Sequence, residues 1–459
     1  MRTAQIDFGR KLRDWDGFGV NYVQTHQTRD PDADPEDYGG FSLMEEIDRL
    51  QIVDLVFGDE GLRPGLVKMF LDPFHQAEPD GPFDHAKTAD WMTWFAKQGL
   101  ERTRARGGDL EIIVTLYGPP AWATRQRFVR GRDLDPARKR ALAAYMMAWA
   151  KHLRQEEGLP VRYLSLHNEG EDWLRWPDDG SGPGGESHDH NLYWPVDQVV
   201  DFLRFMREML DAEGLGEVGL TPGETSNWYR FHTYGYADAI AEDAEALANL
   251  GLITSHGFFG PRVGRWFGDW RSAGADTLRA RRPDLRAWVT STSWSRMDVG
   301  FVNELANSIY SAKVNGLIPW AALQRSGRWK GGDPNPGTAI RIEPDGRWRP
   351  EPGYWHYKGL CRAGQPGTAV CPVRSNDPAV GLMAFGSNGT PHPDAWVALN
   401  LDEEATDVAV EVLGSSSDRF RAFRASPEES YEAVGELAAK NGRLACSLPP
   451  KSVTTFFGA

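Results

Sequence analysis

The chain has 459 residues, 41% of them hydrophobic and 25% charged, and its 51 Lys and Arg against 65 Asp and Glu leave a net charge of −14. That balance repels nucleic acid and anionic membranes over most of the surface, so a neutral partner is expected. No uninterrupted apolar run reaches the roughly 18 residues of a membrane span, and the opening "MRTAQIDFGRKLRDW" lacks the apolar segment of a secretory leader, so a cytoplasmic protein with no membrane partner is expected.

Residues 3 to 15 read as a strand that joins a sheet formed much later in the chain. From residue 17 to about 325, short apolar runs alternate with longer helical patterns. The runs are "GFGVNYV" (17–23), "GLVKMFL" (65–71), "LEIIVTLYG" (110–118), "VRYLSLHNE" (161–169), "VGLTPGE" (218–224), "GLITSHG" (251–257), "LRAWVTST" (285–292) and "NGLIPWA" (315–321). Most are apolar throughout rather than strictly alternating, as in a parallel sheet covered on both faces. Between them, Leu142, Tyr145, Met146, Trp149 and Leu153 share one helical face, as do Val199, Phe202, Leu203, Met206 and Leu210. Strand then helix, eight times over, predicts a (β/α)8 barrel over 17–330.

After about residue 340 the pattern changes to strand-like runs without long helices, "VGLMAFGS", "AWVALNLD", "DVAVEVLG", "RFRAFRAS" and "SVTTFFGA", punctuated by Gly, Pro, Asn and Asp. These predict an accessory antiparallel β-sandwich built from 340–459 together with 1–16, with 328–355 as a loop-rich connection. Three cysteines, Cys361, Cys371 and Cys446, cannot all pair within the chain and have no zinc-ligand spacing. They are expected to be reduced. The 18 tryptophans are numerous, and many fall near strand ends or in loops, where an indole face can stack on the C–H face of a sugar.

Barrel active sites lie at the C-terminal ends of the strands. Strand four ends in His167, Asn168 and Glu169, and a carboxylic acid there can protonate a glycosidic oxygen while the neighbouring amide holds a sugar hydroxyl. Strand three runs into "YGPPAWAT", which sets Trp122 after a rigid Pro-Pro turn. Strand five ends near Glu224, strand six at His256, strand seven at Ser291 with Trp294 following, and strand eight at Trp320. Arg63 reaches the mouth only if strand two begins earlier than its apolar run indicates. Arg63, Trp122, His167, Asn168, Glu224, His256, Trp294 and Trp320 are the candidate sugar-binding residues. For Arg63, Trp294 and Trp320 structural packing is the competing role, for His256 a core position satisfied by backbone, and for Glu224 a salt bridge.

In order and spacing these motifs resemble the clan of retaining glycoside hydrolases with an acid/base Glu on strand four and a nucleophilic Glu on strand seven, and glycoside hydrolase family 30 looks closest. The resemblance is carried by "DGFG" opening strand one, "PPAW" after strand three, "NE" at 168–169, "WVTSTSW" at 288–294 and the closing "LPPKSVTTF". It implies Asn168 as a binder of the sugar 2-hydroxyl, Glu169 as acid/base, position 291 as nucleophile, a carbohydrate substrate and no cofactor.

Ser291 departs from that pattern, because a retaining mechanism needs a second carboxyl group about 5 to 5.5 Å from the first. A hydroxyl without a dedicated base stays protonated and brings no charge to an oxocarbenium-like transition state. Three accounts stand open: a serine in place of the nucleophilic glutamate, leaving space for a small anion; a natural variant in which Glu224 acts with Glu169, as base in an inverting reaction at about 6.5 to 9.5 Å; and a carbohydrate-binding protein without catalysis. The long loop "GEDWLRWPDDGSGPGGESHDHNLYWP" after strand four, with Trp173, Trp176 and Trp194, is expected to wall one side of the pocket and favour exo action on short substrates. Its His188 and His190 lack further spaced ligands, so no metal is expected. Arg63, Lys68, Arg175 and Arg296 would favour an acidic sugar if they faced the pocket, although arginine is equally at home in ion pairs.

Overall fold

The computed structural model describes residues 2–25, 28–33, 37–171, 191–258, 270–325 and 337–459. Two short strands, β1 (Arg2–Asp7) and β2 (Arg13–Asp14), precede β3 (Gly17–Asn21), β4 (Leu66–Leu71), β5 (Glu111–Leu116), β6 (Val161–Ser165), β7 (Gly219–Thr221), β8 (Ile253–Ser255), β9 (Ala287–Ser293) and β10 (Gly316–Trp320). The last eight form one sheet in the order β7-β6-β5-β4-β3-β10-β9-β8, parallel at every junction. The ring closes between β7 and β8 through the bridges Leu220–Leu250 and Thr225–Ser255. This is the eight-stranded barrel, with each strand where its apolar run lies.

Helices α1 (Glu46–Phe57), α2 (Asp90–Ala105), α3 (Lys139–Gln155) and α4 (Val196–Ala212) belong to the outer layer. In α3 the buried residues include Leu142, Tyr145, Met146, Trp149 and Leu153, and in α4 they are Val199, Phe202, Leu203, Met206 and Leu210. The periodicity therefore reports the packed face.

Inside the barrel a separate apolar layer of Leu66, Ile113, Tyr163, Leu252, Trp288 and Ile318 plugs the lower end. Two large rings fit there because their neighbours have no side chain. A Cβ on Gly316 would stand 2.9 Å from Trp288, and one on Gly219 would stand 2.9 Å from Tyr163. Trp288 meets Tyr163 edge-on at 5.0 Å and donates its Nε1 to Asp16 Oδ2 at 2.7 Å, so a full-sized indole is buried with its one donor satisfied.

Beyond the barrel come β11 (Leu323–Arg325), β12 (Ile340–Ile342), β13 (Trp348–Pro350), β14 (Ala369–Val370), β15 (Val373–Ser375), β16 (Val380–Gly386), β17 (Ala395–Asn400), β18 (Thr406–Leu413), β19 (Arg419–Ser426), β20 (Glu429–Ala438), β21 (Arg443–Leu448) and β22 (Val453–Gly458). Two sheets, β15-β1-β18-β21 and β2-β14-β16-β17-β22-β19-β20, enclose a core that includes Ile6, Val410, Trp396 and Phe456. Trp396 and Phe456 stack at 3.7 Å. The N-terminal strand β1 pairs in parallel with β18, so both chain ends contribute to this sandwich.

One expectation fails here. The connection after the barrel contains a helix, Pro352–Ala363, with Pro352 in its first turn and Tyr354, Tyr357, Leu360 and Cys361 buried on it. A proline at the start of a helix sacrifices no hydrogen bond, and the loop-like composition of 328–355 concealed that start. The buried Tyr357 hydroxyl donates to the Gly19 carbonyl at 2.7 Å, which ties the helix to the first barrel strand. Among the described residues, no helix is long and apolar enough to cross a membrane.

The glycine at 316 gives a direct check of the interior layer. Gly316→Ala presses a methyl group against Trp288 and Leu66 and should destabilise the protein by about 1 to 3 kcal/mol, the usual cost of overpacking, read as a lower urea midpoint at unchanged slope.

Candidate active site

Alternation along the barrel strands decides what faces the axis. Leu66 on β4 lies in the interior layer while Val67 and Met69 belong to the core outside it, so Lys68, two positions beyond Leu66, points inward. By the same rule Thr115 follows Ile113 inward on β5. On β9 the regular pairing breaks: Thr290 is opposite Ile318 and Thr292 opposite Pro319, leaving Ser291 as the extra residue of a bulge, with φ 125°. In an unbroken strand, 291 would face outward with Val289. The bulge turns it to the mouth, a use of bulges found next to active sites.

At the mouth Lys68 Nζ is fully buried and donates to Glu224, to Ser291 Oγ at 2.8 Å and to the Thr290 carbonyl at 3.1 Å, with Asn168 Oδ1 at 3.4 Å. The other oxygen of Glu224 accepts from Thr115 Oγ1 at 2.5 Å. His256 lies between two carboxyl groups, with Nδ1 2.7 Å from Glu169 Oε1 and Nε2 3.1 Å from Glu224 Oε2. The loops that carry these groups are stitched by main-chain hydrogen bonds: Glu224 N to His167 O at 2.8 Å, Glu169 N to Glu224 O at 2.7 Å and His256 N to Thr225 O at 2.8 Å. The barrel ladder is thus extended by one residue at the mouth, and Glu169 is held at φ 47°. Left-handed or bulged backbone at non-glycine residues costs free energy and persists where the surroundings fix it.

The electrostatics follow from the contacts. Burial alone would push the Glu224 carboxyl up, but the Lys68 ammonium and His256 hold it down at about 2, against an ordinary 4.5. Burial alone would lower the His256 imidazole, yet its hydrogen bonds to Glu169 and Glu224 raise it above its ordinary value. His167 is different: burial lowers it to about 3. Its ring stacks on Trp194 at 5.7 Å, and its Nδ1 accepts from Gly170 N at 3.0 Å.

The structure thus brings together Glu169, Asn168, Glu224, His256 and Ser291, and places Trp320 nearby. Trp320 is edge-on to Phe70 at 5.3 Å and lies 6.2 Å from Tyr117, while Lys68 lies 4.7 Å over Phe70, so an aromatic floor adjoins the ionic cluster. Trp320 also precedes a cis peptide to Ala321. Trp122 keeps a narrow exposed edge, with its Nε1 donating to the Gln76 carbonyl at 3.1 Å and its ring edge-on to Tyr145.

Three expected binders do not reach the mouth. Arg63 lies before the N-terminal end of β4 and donates to the Asp59 carbonyl at 2.8 Å, because the strand starts at Leu66 and its other end carries the site. Trp294 is 1% exposed and packs edge-on against Tyr357 at 5.1 Å, which leaves no open face for a sugar. His167 packs with Trp194, which in turn meets Phe202 of α4, so it belongs to the strand–helix interface. Of the cations considered for an acidic sugar, Lys68 is occupied by Glu224 and Arg296 is exposed. Arg175, Trp173, Trp176, His188 and His190 lie outside the described residues. Thr115 and the centrality of Lys68 were missed, although the inward parity of their strands was available as a signal.

No protein-family model matches the sequence, and no curated protein does. The solved structures are informative at the level of the fold. The family 30 subfamily 8 xylanase from Clostridium acetobutylicum superposes with a TM-score of 0.72 at 18% identity, covering 99% of this chain and 98% of the other. The catalytic domain of family 30 xylanase C from Talaromyces cellulolyticus gives 0.73 at 16% identity over 100% of both chains. The endo-β-1,6-glucanase BT3312 gives 0.73 at 16% identity over 100% of this chain and 94% of its own. The protein therefore has the barrel-plus-sandwich fold of family 30 glycoside hydrolases along its whole length. Among the described residues, no group of three or more His, Cys, Asp or Glu is arranged to hold a metal.

Removing one partner of the buried pair should be costly. Lys68→Met leaves the Glu224 charge without its ammonium and is expected to destabilise by about 3 to 5 kcal/mol, whereas Lys68→Met with Glu224→Leu should cost less, both measured by denaturant unfolding. The sign of the pH effect is fixed: a carboxyl lowered from 4.5 to about 2 contributes stability that is complete above pH 4.5 and is lost as pH falls towards 2. Glu224→Gln should therefore lose that acid-range dependence in thermal melts.

Proposed function

We propose that this protein is an O-glycosyl hydrolase acting on β-linked glycosides, with Glu169 as acid/base and the attacking group standing at position 291. The observation that carries the reading is the pairing of two backbone-strained positions, Glu169 and the bulged Ser291, around Lys68 and an aromatic floor at the C-terminal mouth of the barrel. Retaining double displacement is the mechanism such a mouth supports once a carboxylate stands at 291. With serine there, the site can accept a small external anion or water beside Lys68, and hydrolysis is slow.

Glu224 is not favoured as the missing second carboxylate. It is wholly buried, both its oxygens are engaged by Thr115, Lys68 and His256, and a carboxyl held at about 2 is a weak base at neutral pH. It serves as the counter-ion of Lys68. The expected exo preference rested on the loop after β6, which for 172–190 lies outside the described residues. The structural neighbours include enzymes titled xylanase and endo-β-1,6-glucanase, so β-linked pentosides and hexosides both belong in the first substrate panel.

Hydrolysis of aryl β-glycosides tests the reading. Ser291→Glu should raise turnover roughly 10³-fold, the scale of restoring a charge to the transition state, and azide or formate should accelerate the unaltered chain. Glu169→Gln in the Ser291→Glu background should remove about 10²- to 10⁴-fold. Full activity that survives Ser291→Ala and ignores added anion would refute a role for 291. Sugar binding without turnover in any variant would make the protein a carbohydrate binder.

A further inference from the structure

We propose that His256 is a positioning residue that shares a single proton with Glu169 and so controls the acid delivered to the leaving group. The delivery step rests on the glycosidase reading above, whereas the shared proton stands on geometry alone.

Glu224 sets the protonation of its neighbours. Lys68 and Thr115 donate to its two oxygens, which fixes it as an anion that can only accept. His256 Nε2, 3.1 Å from Glu224 Oε2, must therefore carry a hydrogen. With that hydrogen placed, a neutral imidazole would turn the lone pair of Nδ1 towards Glu169 Oε1 at 2.7 Å. If Glu169 were ionised at the same time, two lone pairs would face each other inside hydrogen-bond distance in a buried site, which is strongly unfavourable. One proton must lie in that contact, either on nitrogen as an imidazolium–carboxylate pair or on oxygen as an imidazole–carboxylic acid pair, and it belongs to the pair rather than to either residue.

The surroundings hold this arrangement. The His256 backbone is tied to Thr225, and its ring meets the Phe258 ring edge-on at 5.5 Å. Among the described residues, the charged and titratable groups acting on it are Glu169 after β6, Glu224 after β7, Lys68 on β4, which opposes protonation, and His167, whose own imidazole is held neutral by burial. Two carboxyl groups in direct contact outweigh one ammonium already bound to Glu224.

In the reaction, the shared proton passes to the Glu169 carboxyl and from there to the glycosidic oxygen as the anomeric C–O bond breaks and its electron pair stays on that oxygen, while the nucleophile, the carboxylate of Ser291→Glu or an external anion beside Ser291, forms a bond to the anomeric carbon. Water then gives its hydroxyl oxygen to that carbon and its remaining proton to the His256–Glu169 pair, and the bond to the nucleophile breaks with its electron pair returning to the nucleophile. Atoms and charge balance over the cycle. The acid is thereby kept loaded at pH values where an isolated carboxyl would be empty.

Histidine-selective ¹⁵N NMR on the full chain reads the proton without turnover, with the His256 resonance assigned through His256→Gln. The expected result is a ring that stays protonated or proton-sharing above the ordinary imidazole range and whose titration falls by at least one pH unit in Glu169→Gln. An ordinary titration near 6.5 that Glu169→Gln does not move would overturn the proposal. In the Ser291→Glu background, His256→Gln should also shift the basic limb of kcat/KM at least one pH unit lower, a loss that approaches tenfold on the alkaline side of the limb and that a purely structural role would not confine to alkaline pH. An unmoved limb counts against the proposal. If no variant turns over any glycoside, the glycosidase reading fails, while the NMR result still decides the shared proton.

Discussion

A buried ion pair, Lys68 with Glu224, sets the architecture of the barrel mouth. A lysine at the axis of a closed barrel has no access to water, so its charge must be matched and its three hydrogens placed. Glu224 takes one, and the Thr290 carbonyl and Ser291 hydroxyl take the others. Strands two, five and seven of the barrel are thereby locked together at the height where a substrate would enter. The pair also determines what its neighbours can be: Glu224 cannot serve as a free base, and His256 must present a hydrogen to it.

Main-chain geometry makes that lock rigid. The hydrogen bonds that run from Glu169 through Glu224 and His167 continue the sheet past its last ladder residue, and the bulge in β9 reverses side-chain parity at one position. Strain at Glu169 and Ser291 is tolerated because both lie in this extended ladder rather than in free loops. The bulge and φ of 125° turn the Ser291 hydroxyl to the Lys68 ammonium at 2.8 Å.

The residues legible in advance were those whose role follows from being at a strand end. Asn168, Glu169, His256 and Ser291 could be named because eight apolar runs located eight C-terminal ends. Trp294 and His167 satisfied the same rule and still face packing, since a position at a strand end does not state which side of the wall a ring takes. Arg63 failed because it lies before the beginning of its strand. Thr115 lay within a strand whose parity marks it as inward but names no partner for it, yet it holds one oxygen of Glu224. The helix Pro352–Ala363 was hidden by the proline and glycine that begin it.

The sequence by itself determined the alternation of strand and helix, the sandwich that follows, and the absence of a carboxylate at 291, because periodicity and residue identity are local properties. Only the tertiary structure decided which charges meet. Lys68, Glu224, His256 and Glu169 come from four different strands or their loops, and whether Glu224 is a base, a counter-ion or a surface acid depends on what stands within about 3 Å of its oxygens, a distance that no spacing along the chain contains.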